Sequence, residues 1–317
     1  NRFKYGFPNK NELYRIIKDF APDIAILRET CIYTISCYRI CKRLSIPSIL
    51  YNQTPYWQDK SDFNNCFAHR IVKKLVPGVR MTPVLGHKNI DSFHEKNVFY
   101  VPFVTKLHES PEVRNRKDIL EHKMFISILC IGKFERRKNL LMMVRTYERL
   151  LHEFCMVRLV IAGECTSEDH LMIKKEIEEY ISDSKLSEFV TLKTNVLPCD
   201  MGSLYSSASI FVLPSSHEPA SISQLEAMSY SLPVICSNTN GTSCYIENGR
   251  NGWLFKDNDE ESLYSVLCIA LRNKDNLNSI GAEGYIIARE NHSFNKYYSE
   301  IVEMKKRAEV IQRIKRG

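Results

Sequence analysis

Through the second two-thirds of the chain, short strand-like segments rich in apolar residues alternate with longer stretches of helical periodicity. The segments at 125–131, 157–162, 188–192, 210–213 and 234–236 read as strands, and the continuous apolar run 210–213 as one buried on both faces. Between them, 139–153, 170–182, 201–207 and a segment starting at Ile222 read as helices. Such a series predicts an α/β architecture with a parallel, doubly wound sheet, and ligands belong beyond the carboxyl ends of its strands. A turn signal at 248–252 follows, then a helix start at 258–261 for a run to 272, with more helix after it. A final helix over 294–313 carries Tyr297, Tyr298, Ile301, Val302 and Val310 and ends on a basic tail. That tail reads as a solvated helix end or as a contact for anionic lipid.

The first hundred residues are a shorter α/β piece. Strand 24–27 follows Pro22, a helix covers 31–44, strand 48–51 follows Pro47, and 80–85 and 98–104 read as later strands. Residues 106–123 are polar, mixed in charge and aperiodic, which marks a linker. The predicted organisation is a partial Rossmann-like domain at 1–104, a second Rossmann-like domain at 105–293, and a helix at 294–317 packing back toward the first.

Composition narrows the class. With 317 residues, 44% hydrophobic and 26% charged, the chain can bury two cores. A net charge of +7 suits an anionic substrate, an acidic membrane surface or nucleic acid. Aromatic residues do not alternate with basic ones as a stacking platform requires, which argues against nucleic acid. No apolar run approaches the ~18 residues of a membrane span and no leader pattern opens the chain, so the expected location is cytoplasmic, or peripheral at the inner membrane face. The eleven cysteines lack a C-x-x-C pair and several sit in strand-like runs, as small buried hydrophobes in a reducing compartment would. Nothing signals an oligomer.

The candidate chemistry starts with Glu218 and Glu226. Glu218 lies in the loop after strand 210–213. Ser221 with Gln224 is a capping-box pattern, so a helix starts at Ile222 and carries Glu226 at the border of a face formed by Ile222, Leu225 and Met228. On spacing alone the two carboxylates read as surface charge, because Asp and Glu are mostly exposed. A polyhydroxylated ligand is the alternative. Likewise Lys133, Arg136, Arg137 and Lys138 read as a solvated basic loop or as an anion site at a helix start near Asn139.

Five motifs, taken together, bear on this choice. Gly132-Lys-Phe-Glu-Arg-Arg-Lys-Asn139, Ile161-Ala-Gly-Glu164, the run from Pro214 to Met228, Leu232-Pro-Val-Ile235 and Asn248-Gly-Arg-Asn-Gly-Trp-Leu-Phe255 follow one another. Together they resemble the retaining glycosyltransferases of family 4, the glycosyl transferases group 1. The resemblance implies the GT-B fold, two Rossmann-like domains with parallel sheets, and here the N-terminal, acceptor-side one reads as truncated. It implies a hexosyltransferase that uses a UDP- or GDP-sugar and a glycan or lipid-linked glycan acceptor, in surface polysaccharide biosynthesis, with no metal or other cofactor. By the same resemblance Lys133 and Lys138 hold the donor diphosphate, Glu226 binds the ribose and Glu218 contacts the sugar. Gly132, Gly163, Ala220, Ser221, Ile222 and Leu225 border the nucleotide-sugar.

The departures are Ser221 where the family has glycine, Asn240 with Gly241 where it tends to have two glycines, Cys244 where it has a glutamate, and Lys133 where it commonly has arginine. A histidine after the Pro22-Asp23 strand is missing, and nothing before Pro22 resembles the family's first strand and glycine-rich loop. Arg28 and Glu29 read as residues facing the cleft or as an ion pair at a buried edge, and Gln53, Thr54, His87 and Asn89 are polar candidates to meet the acceptor. A non-catalytic nucleotide-sugar-binding or scaffold protein of the same fold is the alternative reading.

Overall fold

The computed structural model describes residues 9–28, 33–52, 71–72, 74–76, 78–83, 98–108, 125–218 and 220–314. The chain divides into two compact units, one of Asn1–Phe103 with Asn295–Gly317, the other of Val104–Phe294.

The first unit opens with α1 (Lys10–Phe20), a helix to which the pattern above assigned nothing. Its start is set by Asn9, whose side chain accepts from Asn11 N at 2.9 Å, and its end by Ala21 in the left-handed region. Then come β1 (Ala25–Arg28), α2 (Tyr33–Arg43), β2 (Ser48–Tyr51), β3 (Val79–Thr82) and β4 (Val98–Tyr100). These strands form a parallel sheet in the order β1-β2-β3-β4. Ile49 and Leu50, adjacent in β2, are both buried, as a sheet covered on two faces requires. Ile49, Val79, Met81 and Val101 meet Met304 and Ala308 of the C-terminal helix, while Leu50 joins Tyr38, Val72 and Val76.

The second unit contains β5 (Ile126–Ile131), α3 (Leu140–Leu151), β6 (Val157–Gly163), α4 (Glu168–Asp183), β7 (Val190–Thr194), α5 (Met201–Ser207) and β8 (Ile210–Leu213). It continues with α6 (Ile222–Ser229), β9 (Val234–Ser237), β10 (Gly252–Phe255), α7 (Glu260–Arg272) and α8 (Leu277–Asn291). α9 (Phe294–Ile314) ends the described chain. The six strands are parallel, in the order β10-β9-β8-β5-β6-β7. From β5 the chain steps outward through β6 to β7, then returns to the other side of β5 for β8 and steps away through β9. The order therefore reverses between β5 and β8, where an open sheet of this kind leaves a crevice.

The core of this sheet is largely aliphatic, built around Ile128, Leu159, Ile161, Ile210, Val212 and Ile235 with Tyr147 and Phe134. Cys130 and Cys236 are buried within their strands, and burial pushes both thiols up to about 12, so neither is a thiolate at neutral pH. Among the described residues no helix is long and apolar enough to cross a membrane.

Candidate functional site

The loops that leave β5 and β8 flank the crevice, and backbone and side-chain bonds tie them together. After Ile131 the chain runs through Gly132 into a short 3-10 turn at Arg136–Lys138 and then Asn139, which is left-handed at φ 51°. Asn139 does not cap α3 with its side chain. Its Nδ2 donates to Pro214 O at 3.0 Å and to Asn258 Oδ1 at 2.8 Å, so it clamps the β8 loop instead. Ser216 N donates to Arg137 O at 2.7 Å, a second tie between the loops.

These ties deliver Glu218 to the basic turn. The side chain of Lys138 is buried and its ammonium donates to Glu218 Oε2. Arg137 donates to the same oxygen at 2.6 Å and pairs with Glu135 at 3.0 Å. Glu218 is only 8% exposed, so its charge depends on these partners. Its position is fixed from behind: His217 is left-handed at φ 49°, and Glu218 O accepts from Gly241 N at 2.8 Å.

Gly132 is part of the same packing, because a Cβ there would lie 3.2 Å from the aliphatic chain of Lys138. Gly163 packs still more closely. A Cβ at 163 would stand 1.9 Å from Gly132 O, so this glycine lets the end of β6 close against the loop that presents Lys138. Its observed role is close approach between neighbouring strands.

Glu226 is built from a different direction. Ser221 has the extended conformation of an N-cap and its Oγ accepts from Gln224 N at 3.2 Å, which starts α6 at Ile222 as the sequence predicts. The reciprocal half of the capping box does not form. Gln224, fully buried, instead accepts from Asn240 Nδ2 and Thr242 Oγ1, each at 2.7 Å, and donates to Thr242 O at 3.0 Å. Thus α6 is riveted to the turn whose Gly241 holds Glu218. Ala220 and Ser221 sit at the start of α6, with Ser221 as its N-cap.

Two expectations on α6 need correction. Ile222 is 51% exposed and does not share the buried face of Leu225 and Met228. Leu225 is wholly inside the core, so its side chain supports the helix and cannot border a ligand. Glu226, half-buried, faces α5, and Tyr205 donates its hydroxyl to Glu226 Oε2 at 2.6 Å. The motifs did not single out Tyr205; the signal available was a tyrosine in the short helix before a core strand, whose buried hydroxyl needs an acceptor. Burial first, and then the Glu226 charge, hold its phenol far above the ordinary value, so it remains a donor.

Lys133 and Lys138 pair with different carboxylates. Lys133 pairs with Glu164 of the β6 turn at 2.9 Å, with side chains 47% and 44% exposed. A hydrogen bond from its ammonium to Glu164, and the charge behind it, raise the Lys133 pKa. Arg136 likewise turns outward, to Glu176 at 2.8 Å. It is Arg137 that joins Lys138. On the acceptor side, Arg28 is exposed at the end of β1, whereas Glu29, Gln53, Thr54, His87 and Asn89 lie outside the described residues. Among the described residues no group of His, Cys, Asp and Glu is arranged to hold a metal ion.

Known proteins share this organisation. The chain is 24% identical over 161 residues to the alpha-monoglucosyldiacylglycerol synthase of Acholeplasma laidlawii, covering 50% of this chain and 39% of that protein. It is 23% identical over 190 residues to a probable sucrose-phosphate synthase of Thermosipho melanesiensis, covering 59% and 42%. The chain thus spans about two-fifths of the length of these relatives. The crystal structure of Anabaena HepE in complex with UDP superposes with a TM-score of 0.75 at 11% identity, over 93% of this chain and 80% of that one. That likeness shows the fold, the α/β GT-B architecture with two parallel sheets. Residues 112–287, more than half of the chain, match the family Glycosyl transferases group 1, and the chain belongs to that family.

Proposed function

We propose that this chain forms the donor-binding part of a retaining glycosyltransferase that moves a hexosyl group from a UDP- or GDP-sugar to a glycan or lipid-linked glycan. The observation that carries the reading is the convergence of Lys138, Arg137 and Glu218 at the switch point, with Glu226 on the adjoining helix. Breaking a sugar–phosphate bond places negative charge on the departing diphosphate and positive charge on the anomeric carbon. Fixed cations therefore belong at the phosphates and acceptors around the sugar. Lys138 and Arg137 supply the first, with Lys133 at the rim. The N–H groups at Ala220, Ser221 and Ile222 face the same charge from the start of α6. Glu218 supplies the second, and Glu226 accepts from the ribose hydroxyls.

Support comes from the family and from a fold shared with a protein that holds UDP. No metal is required by this arrangement, because the cations are side chains. A cytoplasmic site at the inner membrane face and a role in surface polysaccharide synthesis complete the reading. The test is a thermal-shift panel of UDP- and GDP-hexoses on the full chain, where a donor at about 100 times its Kd stabilises by ~2.7 kcal/mol. Glu218→Ala should bind the nucleotide diphosphate yet transfer no sugar. A panel with no shift for any donor would overturn the proposal.

A further inference from the structure

The structure assigns to Tyr205 the positioning of the Glu226 carboxylate: its hydroxyl fixes one oxygen so that the other is presented to the ribose of a nucleoside diphosphate. The inference rests on the donor-site reading above and deepens it. Tyr205 is 2% exposed, on α5, and its ring has no room to turn. One face is stacked on Tyr230 at 5.3 Å between centroids and 14° between planes, and Phe211 of β8 lies 6.2 Å away. Tyr230 is in turn stacked on His108 at 4.1 Å. A stack of this kind fixes the phenol oxygen as well as the ring.

Glu226 lies on the last full turn of an eight-residue helix and its Oε2 accepts from that phenol at 2.6 Å. Among the described residues no hydrogen bond reaches Oε1. A carboxylate held through one oxygen loses its freedom to rotate, and its second oxygen then keeps a fixed direction toward a diol. A neutral donor suits this task better than a cation, because it orients the carboxylate without cancelling the charge that makes it a good acceptor.

The test compares UDP and GDP with their 2′-deoxy counterparts by calorimetry, with inorganic pyrophosphate as the control for the cation site. The wild-type chain should prefer the ribonucleotides by on the order of tenfold, the worth of a hydrogen bond to a charged group. Tyr205→Phe keeps the ring stack and removes the hydroxyl. It should leave pyrophosphate affinity unchanged, weaken the ribonucleotides and bring the ribo-to-deoxy ratio close to one. In a Glu226→Gln background the same exchange should add no further loss. That background also keeps the test open if the single variant folds poorly, since a neutral amide tolerates a lost donor better than a carboxylate.

An unchanged ribo-to-deoxy ratio in Tyr205→Phe overturns the inference, as does an equal fall for all ligands, which would mean general loosening. Failure of the donor-site reading looks different. There the wild-type chain takes pyrophosphate and neither nucleotide, and both readings fall together.

Discussion

Two lysine–glutamate pairs leave the same loop after β5. Lys138 meets Glu218 with both side chains about nine-tenths buried, and Lys133 meets Glu164 with both side chains nearly half exposed. The partners are chemically identical, and both pairs are within hydrogen-bonding reach. What differs is the water around them. At the exposed pair, solvent competes for each charge and salt screens what is left, so the contact adds little to the fold. At the buried pair water is not a comparable alternative, and removing Lys138 leaves Glu218 with Arg137 alone. The same residue types thus carry structural weight at the buried pair and little at the exposed one.

The largest break of this comparison is Lys138→Met. The change leaves Glu218 buried with only Arg137, itself shared with Glu135, and we expect a loss of roughly 3 kcal/mol, the lower end for breaking a buried pair. Urea denaturation measures it. Combining Lys138→Met with Glu218→Gln should restore at least half of the loss, because a neutral amide no longer needs a counterion. A single variant as stable as the wild type would show that Arg137 suffices and that burial of the pair costs nothing.

A smaller effect should follow from Gln224→Leu, which leaves both ion pairs chemically intact and loosens the frame behind one of them. Gln224 accepts from Asn240 and Thr242 and donates to Thr242 O, all fully buried, and the same turn holds Glu218 through Gly241. Leucine fills much of the space and leaves those groups unsatisfied, at about 2 kcal/mol. The loss should appear in the urea midpoint. If this variant behaved like a surface substitution, the Glu218 loop would be held by its ion pairs and its ties to the β5 loop without help from Gln224.

Much of this was legible in the sequence. The strand cores β5, β6, β8 and β9 announce themselves as apolar runs bounded by turns, and Ser221 marks the start of α6 because an N-cap is a local, side-chain-to-backbone event. What escaped is non-local or weakly buried. α1 has helical spacing and an Asn9 cap, yet none of its residues is buried, so no core pattern frames it. Gln224 looks like the second half of a capping box and is recruited by a turn sixteen residues away. The partner of Lys133 follows from strand order, since β6 runs beside β5 and brings Glu164 to the loop, but order is not written in the spacing of lysines. Tyr205 and Glu226 lie 21 positions apart on separate helices, and only the fold makes them one unit.

The smallest effect is expected at Lys133, where the comparison becomes sharpest. Lys133→Met should leave the urea midpoint unmoved, because Glu164 stays solvated and keeps Thr166 as a donor at 2.9 Å. If Lys133 serves the diphosphate from the rim, the variant should bind UDP or GDP a few-fold more weakly. Its remaining affinity should also fall less steeply between low and high salt, since one screened contact has gone. The raised pKa of Lys133 keeps the wild-type ammonium charged throughout the neutral range, so a change in nucleotide affinity between about pH 6 and pH 8 should come from the terminal phosphate, which titrates at about pH 6, and not from Lys133. A loss of nucleotide affinity equal to that of a Lys138 variant would place the two lysines on equal terms at the phosphates, and would mean that Glu164 releases Lys133 when the donor arrives.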